Sequence, residues 1–203
     1  MASGDFYKDW CRIQFGEEVS DQLAEIFTAL DGVKEKTVDL QGELSNLTRP
    51  ANWINGPGGI KDVNFQWDSV KIKFGFIDEY EHLRPLVSGS GNLERFDFWL
   101  NQFKYLEAFE KLACSLGSYN KEAKNLAALK DKDKVNAARE KLIPLVKQEA
   151  AELYDIHKYL ISSVTTWGSL GNITNWQQHN IPGQILPQIK QIISITGDSS
   201  WVA

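Results

Sequence analysis

The sequence predicts an all-α protein, a globular bundle of about six or seven helices with one or two long ordered loops. Three observations lead there. Two long stretches, 92–116 and 133–164, repeat apolar residues every three or four positions. The chain never alternates strand-like and helix-like runs, which excludes a complete Rossmann domain or a closed (β/α) barrel. Glycine or proline punctuates the periodic runs. No repeat of solenoid period is visible, so residues 1–203 are expected to form a single helical domain, with the 33–64 loop as the place for any boundary between lobes.

Taking the elements in order, Phe6, Trp10, Ile13 and Phe15 fall on one side of a short first helix that Gly16 can end. A second helix follows, with Ser20 as its expected N-cap, Leu23, Ile26, Phe27 and Leu30 as its buried stripe, and Asp31-Gly32 as its stop. Periodicity fades from Val33 to Asn64, where Pro50, Pro57 and glycines 56, 58 and 59 impose turn chemistry. It returns from Trp67 to Leu86 through Val70, Phe74, Ile77, Tyr80 and Leu83, limited by Pro85 and then by Ser88-Gly89-Ser90-Gly91.

The strongest helix is expected over Asn92 to Leu116. Phe96, Trp99, Phe103, Leu106, Phe109 or Glu110, Ala113 and Leu116 keep helical spacing, with Asn92 as N-cap and Gly117 in the place of a C-terminal glycine. A short charged helix and a turn fill 121–133. Beyond it Val135, Ala138, Leu142, Leu145, Val146, Glu149, Leu153, Ile156 and Leu160 mark a second long helix, and Pro144 predicts a kink or local break within it. The two long helices should pack together. A brief helix around Asn175 to His179 and a last one carrying Ile185, Ile189, Ile192 and Ile193, with Pro187 in its first turn, complete the bundle.

Composition narrows the function classes. With 42% hydrophobic and 24% charged residues the chain reads as an ordinary soluble globular protein, and ten Phe, seven Trp and six Tyr make an aromatic load that must be buried or used. A net charge of -5, with Lys and Arg interleaved among acids, offers no footprint for a nucleic acid backbone. No apolar run approaches the roughly 20 residues of a membrane span, and Met1-Ala2-Ser3-Gly4-Asp5 lacks the pattern of a signal peptide, which leaves location open. Cys11 and Cys114 are expected as buried free thiols. The spacing of His82, His157 and His179 provides no metal site, and no sequence feature calls for a cofactor.

Three segments are crowded with Trp, Asn, Gly and Gln: Asn52 to Gly59, Gly91 to Trp99, and Gly171 to His179. Aromatic faces stack on sugar rings while amides and guanidinium groups give directional hydrogen bonds, so Trp53, Asn55, Arg95, Trp176, Gln177 and His179 are the candidate carbohydrate-binding residues. Each also has a purely structural use: Trp53 as a cap on the bundle, Arg95 in a salt bridge to Asp97 or a carboxylate on another helix, and 175–179 as a helix-end network. Glu94 and Asp97, with His179, are the only candidates for hydrolytic chemistry. As neighbours on one helical turn, Glu94 and Asp97 are better explained by helix-start electrostatics than as the opposed acid and nucleophile of glycoside hydrolysis. The glycine-rich 49–59 loop fits neither the Walker nor the dinucleotide pattern. Asn46-Leu47-Thr48 and Asn172-Ile173-Thr174 are valid sequons, too short to establish secretion.

Asp5-Phe6-Tyr7-Lys8-Asp9-Trp10 with Phe15-Gly16, the Arg49-Pro50 to Gly59 loop, Gly91 to Leu100 and Gly168 to His179 together resemble the helical region that follows the catalytic barrel in large agarase-like glycoside hydrolases. The resemblance spans most of the chain. It implies a polysaccharide context, a parent enzyme that is exported and so extracellular or periplasmic, and a helical accessory domain that packs on or completes a substrate cleft. Its partners would be a polysaccharide or oligosaccharide and the parent's catalytic domain. The catalytic carboxylates of that family lie on barrel strands, none of which is present here, so no catalytic residue carries over and no activity is expected of the isolated chain. Two other readings stand beside it: a free-standing helical hydrolase using Glu94, Asp97 and His179, and a helical protein-interaction module with an exposed aromatic patch.

Overall fold

The computed structural model describes residues 3–31, 60, 62–180, 183 and 185–202, with the side chains of 172 and 175–180 outside that description. The chain is the all-α bundle that the apolar periodicity predicts. Helices α1 (Ser3–Phe15) and α2 (Glu17–Asp31) pack along each other and are separated by Gly16 alone. That residue sits at φ 105°, a backbone region open to glycine and strained for other residues. Because the reversal is complete at Gly16, α2 begins at Glu17, whose charge suits a helix start, rather than at Ser20. Ser20 is buried inside the helix and its Oγ donates to the Glu17 carbonyl at 3.0 Å, so it is not the expected N-cap.

The 67–86 stretch is a chain of short turns rather than one helix: α3 (Trp67–Val70), a 3₁₀ turn (Lys71–Phe74), α4 (Phe76–His82) and a second 3₁₀ turn (Arg84–Leu86) containing Pro85. Three-residue and 3.6-residue periods diverge slowly over such short pieces. Val70, Phe74, Ile77 and Tyr80 are therefore all buried, as their spacing predicts.

Helix α5 (Ser90–Ala127) is longer at both ends than its sequence signals imply. Gly89, at φ 88°, turns the chain two residues before the segment's polar cluster, which leaves Asn92 inside the first turn. There its Nδ2 donates to the Ser88 carbonyl at 3.0 Å. Gly117 does not end the helix either. The strand of chain around Val63 crosses α5 at this point, and Val63 N–H donates to the Ala113 carbonyl at 3.1 Å. The glycine makes room for that backbone.

After a turn come α6 (Asp131–Ala137), a π-helical turn (Ala138–Leu142) and α7 (Ile143–Ser162). The break that Pro144 predicts is this π turn, which widens the helix just before the proline enters the first turn of α7. Helix α8 (Trp167–Asn180) starts eight residues before the brief helix expected at Asn175. Thr166 explains the earlier start: its Oγ1 accepts from Ser169 N–H at 3.3 Å, a side-chain cap. Helix α9 (Leu186–Thr196) has Pro187 in its first turn and ends at Gly197, φ 65°, as expected.

The two long helices, α5 and α7, make the main contact of the fold. The first half of α5 packs with α1, α2 and α4 around Trp10, Phe15, Phe27, Tyr80, Phe96 and Phe103, an edge-to-face and stacked aromatic cluster. Tyr80 and Phe96 stack with centroids 4.3 Å apart. The second half of α5 meets α7, the π turn and α9 through Leu112, Leu116, Leu142, Ile156 and Ile192, all buried. Cys11 and Cys114 are both buried and free, and burial pushes each thiol up to about 12.

Candidate functional site

At the start of α5 the polar residues are occupied by structure. Asp97 is gripped by Arg84, whose Nε and a terminal NH2 nitrogen donate to its two carboxylate oxygens at 2.7 and 2.8 Å. Such a two-bond pairing fixes the carboxylate and spends both oxygens. Among the described residues Arg95 meets no carboxylate. Its Nε donates to the Gln14 carbonyl at 2.8 Å and its NH2 to Asn92 Oδ1 at 2.6 Å, so it ties the end of α1 to α5. The partner of Asp97 comes from a different segment, thirteen residues away, which i, i+2 proximity in sequence conceals. Glu94 is exposed and lies beyond the first turn of α5, because the helix opens at Ser90. Glu94 and Asp97 thus stand one turn apart on one helix, with no gap between them into which a glycosidic bond fits.

Of the remaining candidates, Trp53 and Asn55 lie outside the described residues, and Trp176, Gln177 and His179 are placed in the last turns of α8 by backbone alone. The described part of α8 nevertheless has two distinct faces. Ser169 and Ile173 turn toward the bundle, Ile173 being buried; Trp167, Leu170, Gly171 and Thr174 form an exposed stripe at positions i, i+3, i+4 and i+7. Trp167 is 90% exposed, the most open large apolar side chain among the described residues. A β-carbon at Gly171, one turn further on, would meet nothing within 4 Å, so a bare stretch of helix lies on the indole's side of α8. Residues 159–189 contain no Asp, Glu, Lys or Arg, in a chain that is 24% charged. The stripe therefore carries no charged side chain, and offers one indole, at Trp167, and one hydroxyl, at Thr174. Trp167 stands beside the candidates Trp53 and Trp176, and its place ahead of two glycines, 168 and 171, is the signal for it in the sequence.

A second group of polar residues lies where α5, α7 and α9 meet, with Ser115, Glu149, Glu152 and Gln188 buried. Glu152 is ion-paired with Lys111 at 3.9 Å and accepts from Gln148 Nε2 at 2.9 Å, and the same nitrogen donates to Ser115 Oγ at 3.1 Å. Tyr119 OH donates to Gln191 Oε1 at 2.9 Å, joining α5 to α9. Glu149 is wholly buried, and among the described residues no hydrogen bond of good geometry reaches its carboxyl oxygens. Burial pushes its carboxyl up to about 8; the amide of Gln188, close enough to favour the charged form, opposes the shift, and the like charge of Glu152 adds a smaller rise. Glu110 on α5 is pushed up to about 7, also by burial, with Lys73 opposing. A carboxyl that keeps its proton at neutral pH has the chemistry of a general acid. Glu149 cannot act as one on a bound substrate, because no part of it reaches solvent. The signal for this group is in the sequence: Glu110 and Glu149 both occupy apolar-stripe positions.

No cluster of three or more His, Cys, Asp or Glu side chains suited to a metal ion is found among the described residues. No described helix is long and apolar enough to cross a membrane. Comparison with known proteins returns no family model, no curated relative and no solved structure that matches the chain.

Proposed function

We propose that this chain is a helical accessory unit of a polysaccharide-degrading enzyme, which contacts neutral saccharide through the outer stripe of α8 and hydrolyses nothing itself. The observation that carries the reading is the open indole of Trp167 on a helix that carries no Asp, Glu, Lys or Arg. A sugar ring offers an apolar face of C–H groups and a rim of hydroxyls. An uncovered indole takes the first, and Thr, Asn and Gln take the second without ion pairs. Gly168 to His179, one of the segments that resemble the agarase-like enzymes, falls within this helix. In the parent enzyme the catalytic domain would adjoin this surface, so that α8 extends the substrate cleft.

The helical-hydrolase alternative lacks support at its carboxylates, since Asp97 is held by Arg84 and Glu94 shares its helix. The interaction-module alternative draws on the same exposed stripe, with Trp167 and Leu170 as protein contacts. Tryptophan fluorescence titrated with neutral agar, xylan and glucan oligosaccharides separates these readings. The accessory reading expects a weak, saturable response to at least one series that disappears in Trp167→Ala and survives a tenfold rise in salt. Sugar-independent binding of a separately produced catalytic domain, with no response to any oligosaccharide, supports the interaction module instead.

A further inference from the structure

We propose that copies of this chain associate head to tail, the lysine-rich turn between α5 and α6 of one copy seating on the acidic α1–α2 hairpin of the next. The inference is independent of the saccharide reading. Acids and bases alternate locally, but they divide unevenly between the two ends of the fold. Residues 3–31, which form α1 and α2, carry seven Asp and Glu against two Lys and Arg, and residues 121–148 carry eight Lys and Arg against four Asp and Glu. Helix α5 holds the two regions apart. Its Arg95, Phe96, Trp99 and Phe103 touch α1 and α2, while its C-terminal end leads into the turn at 128–130. At 1.5 Å per residue, about 40 Å of helix separates them, several screening lengths at physiological salt. The two charges therefore cannot neutralise each other within one chain, whereas the opposite ends of two chains can.

Each end also presents apolar surface beside its charge. In the basic turn Leu129 is 40% exposed, next to exposed Ala127 and Ala128. Lys124, Lys130 and Lys132, within five residues of it, are exposed and in no ion pair among the described residues, while Lys134 and Lys141 pair with Asp131 and Glu122. The dipole of α5 accounts for Lys124 in its last turn but not for the bases that continue through Lys130, Lys132, Arg139 and Lys147. At the acidic end Phe6 and Ile13, 52% and 70% exposed, share one face of α1. The two bases of this hairpin are already paired, Lys8 with Asp21 and Arg12 with Asp9 and Glu17. Asp5, Glu18, Glu25 and Asp31 are exposed with no ion pair among the described residues. Apolar centres with charged rims of opposite sign suit each other as the two sides of an interface. An anionic membrane would engage the basic end alone and leave the acidic hairpin bare, so a second copy is the occupant that uses both. Because the two patches differ, the contact does not close at two copies, and further copies can add.

Sedimentation velocity of the full chain over a range of concentrations tests this at about 0.02 M and about 0.5 M salt, where the screening length is about 20 Å and about 4 Å. The weight-average mass should climb past that of two copies at low salt and return to that of one at high salt. Lys130→Gln with Lys132→Gln, or Glu18→Gln with Glu25→Gln, alters exposed side chains only, and either pair should weaken self-association about tenfold. Mixed together, the two doubly substituted proteins have one unaltered interface between them. They should pair with the wild-type affinity and stop at two copies. A wild type that stays monomeric at low salt would overturn the proposal, as would association that only one of the two substituted pairs weakens. Salt-sensitive binding to phosphatidylserine vesicles by a wild type that stays monomeric would overturn it in favour of a membrane surface.

Discussion

The backbone of Val63 passes so close to Gly117 that a β-carbon at position 117 would lie 1.9 Å from the Val63 carbonyl oxygen. No rotamer change relieves a clash with backbone, so any side chain at 117 must push the backbone around Val63 off α5. That segment anchors Ile60 and Val63 in the core and donates from Val63 N–H to the Ala113 carbonyl.

Gly117→Ala should accordingly destabilise the protein by about 2 to 4 kcal/mol, although alanine is the better helix former by about 1 kcal/mol. Urea unfolding followed by circular dichroism measures it. A variant as stable as the parent would mean that the backbone of Val63 does not cross α5 at this point.

The same position shows what the sequence did and did not reveal. Apolar spacing sufficed for the all-α bundle, the pairing of α5 with α7, the turn at Gly16 and the break near Pro144, because each depends on local periodicity or on one residue's backbone. Gly117 was misread as a helix stop because the signal for a stop and the signal for a crossing backbone are the same residue. Asn92 and Ser20 were misread as N-caps for a related reason: the glycines just before them, Gly89 and Gly16, had already turned the chain. At the candidate site, Arg95 and Asp97 are two residues apart and invite pairing, yet they point to different partners, Gln14 and Arg84, that only the tertiary fold supplies.

Phe103 and Trp99 share a helix face but differ in burial. Phe103 is buried among Phe27, Phe76, Tyr80 and Trp99, and Phe103→Ala should cost about 3 to 5 kcal/mol. Trp99 is only partly buried against that cluster, so Trp99→Ala should cost less than Phe103→Ala. Thermal unfolding of the two variants side by side checks the order; a reversed order would place Trp99 at the centre of the cluster.

Global stability should fall as pH rises through the neutral range. Glu149 has a folded-state pKa near 8, raised above its ordinary 4.5, so the stability tied to its proton is fully present below about pH 4.5. It is lost progressively up to about pH 8 and constant beyond. Glu110, raised to about 7, acts with the same sign over a shorter window. Glu149→Gln should be more stable than the parent at pH 8 by on the order of a few kcal/mol and closer to it at pH 5. Denaturant midpoints at the two pH values measure the difference, and an equal offset at both would assign the effect to packing instead.

The two thiols should be inert while the protein is folded. Both are buried and pushed up to about 12, so almost no thiolate exists at pH 8. Reaction with a disulfide reagent should wait on unfolding and then proceed at two sites. Rapid labelling of the native protein would show that Cys11 or Cys114 is reached by solvent.

The saccharide reading depends most directly on Trp167. Calorimetric titration of neutral agar-derived oligosaccharides into the wild type and Trp167→Ala, with product analysis of the same samples, tests it in one measurement. The account predicts weak binding to the wild type, loss of that binding in Trp167→Ala with unchanged thermal stability, and intact oligosaccharide at the end. Binding that is unaltered in Trp167→Ala, or cleavage of the oligosaccharide by the wild type, would contradict it.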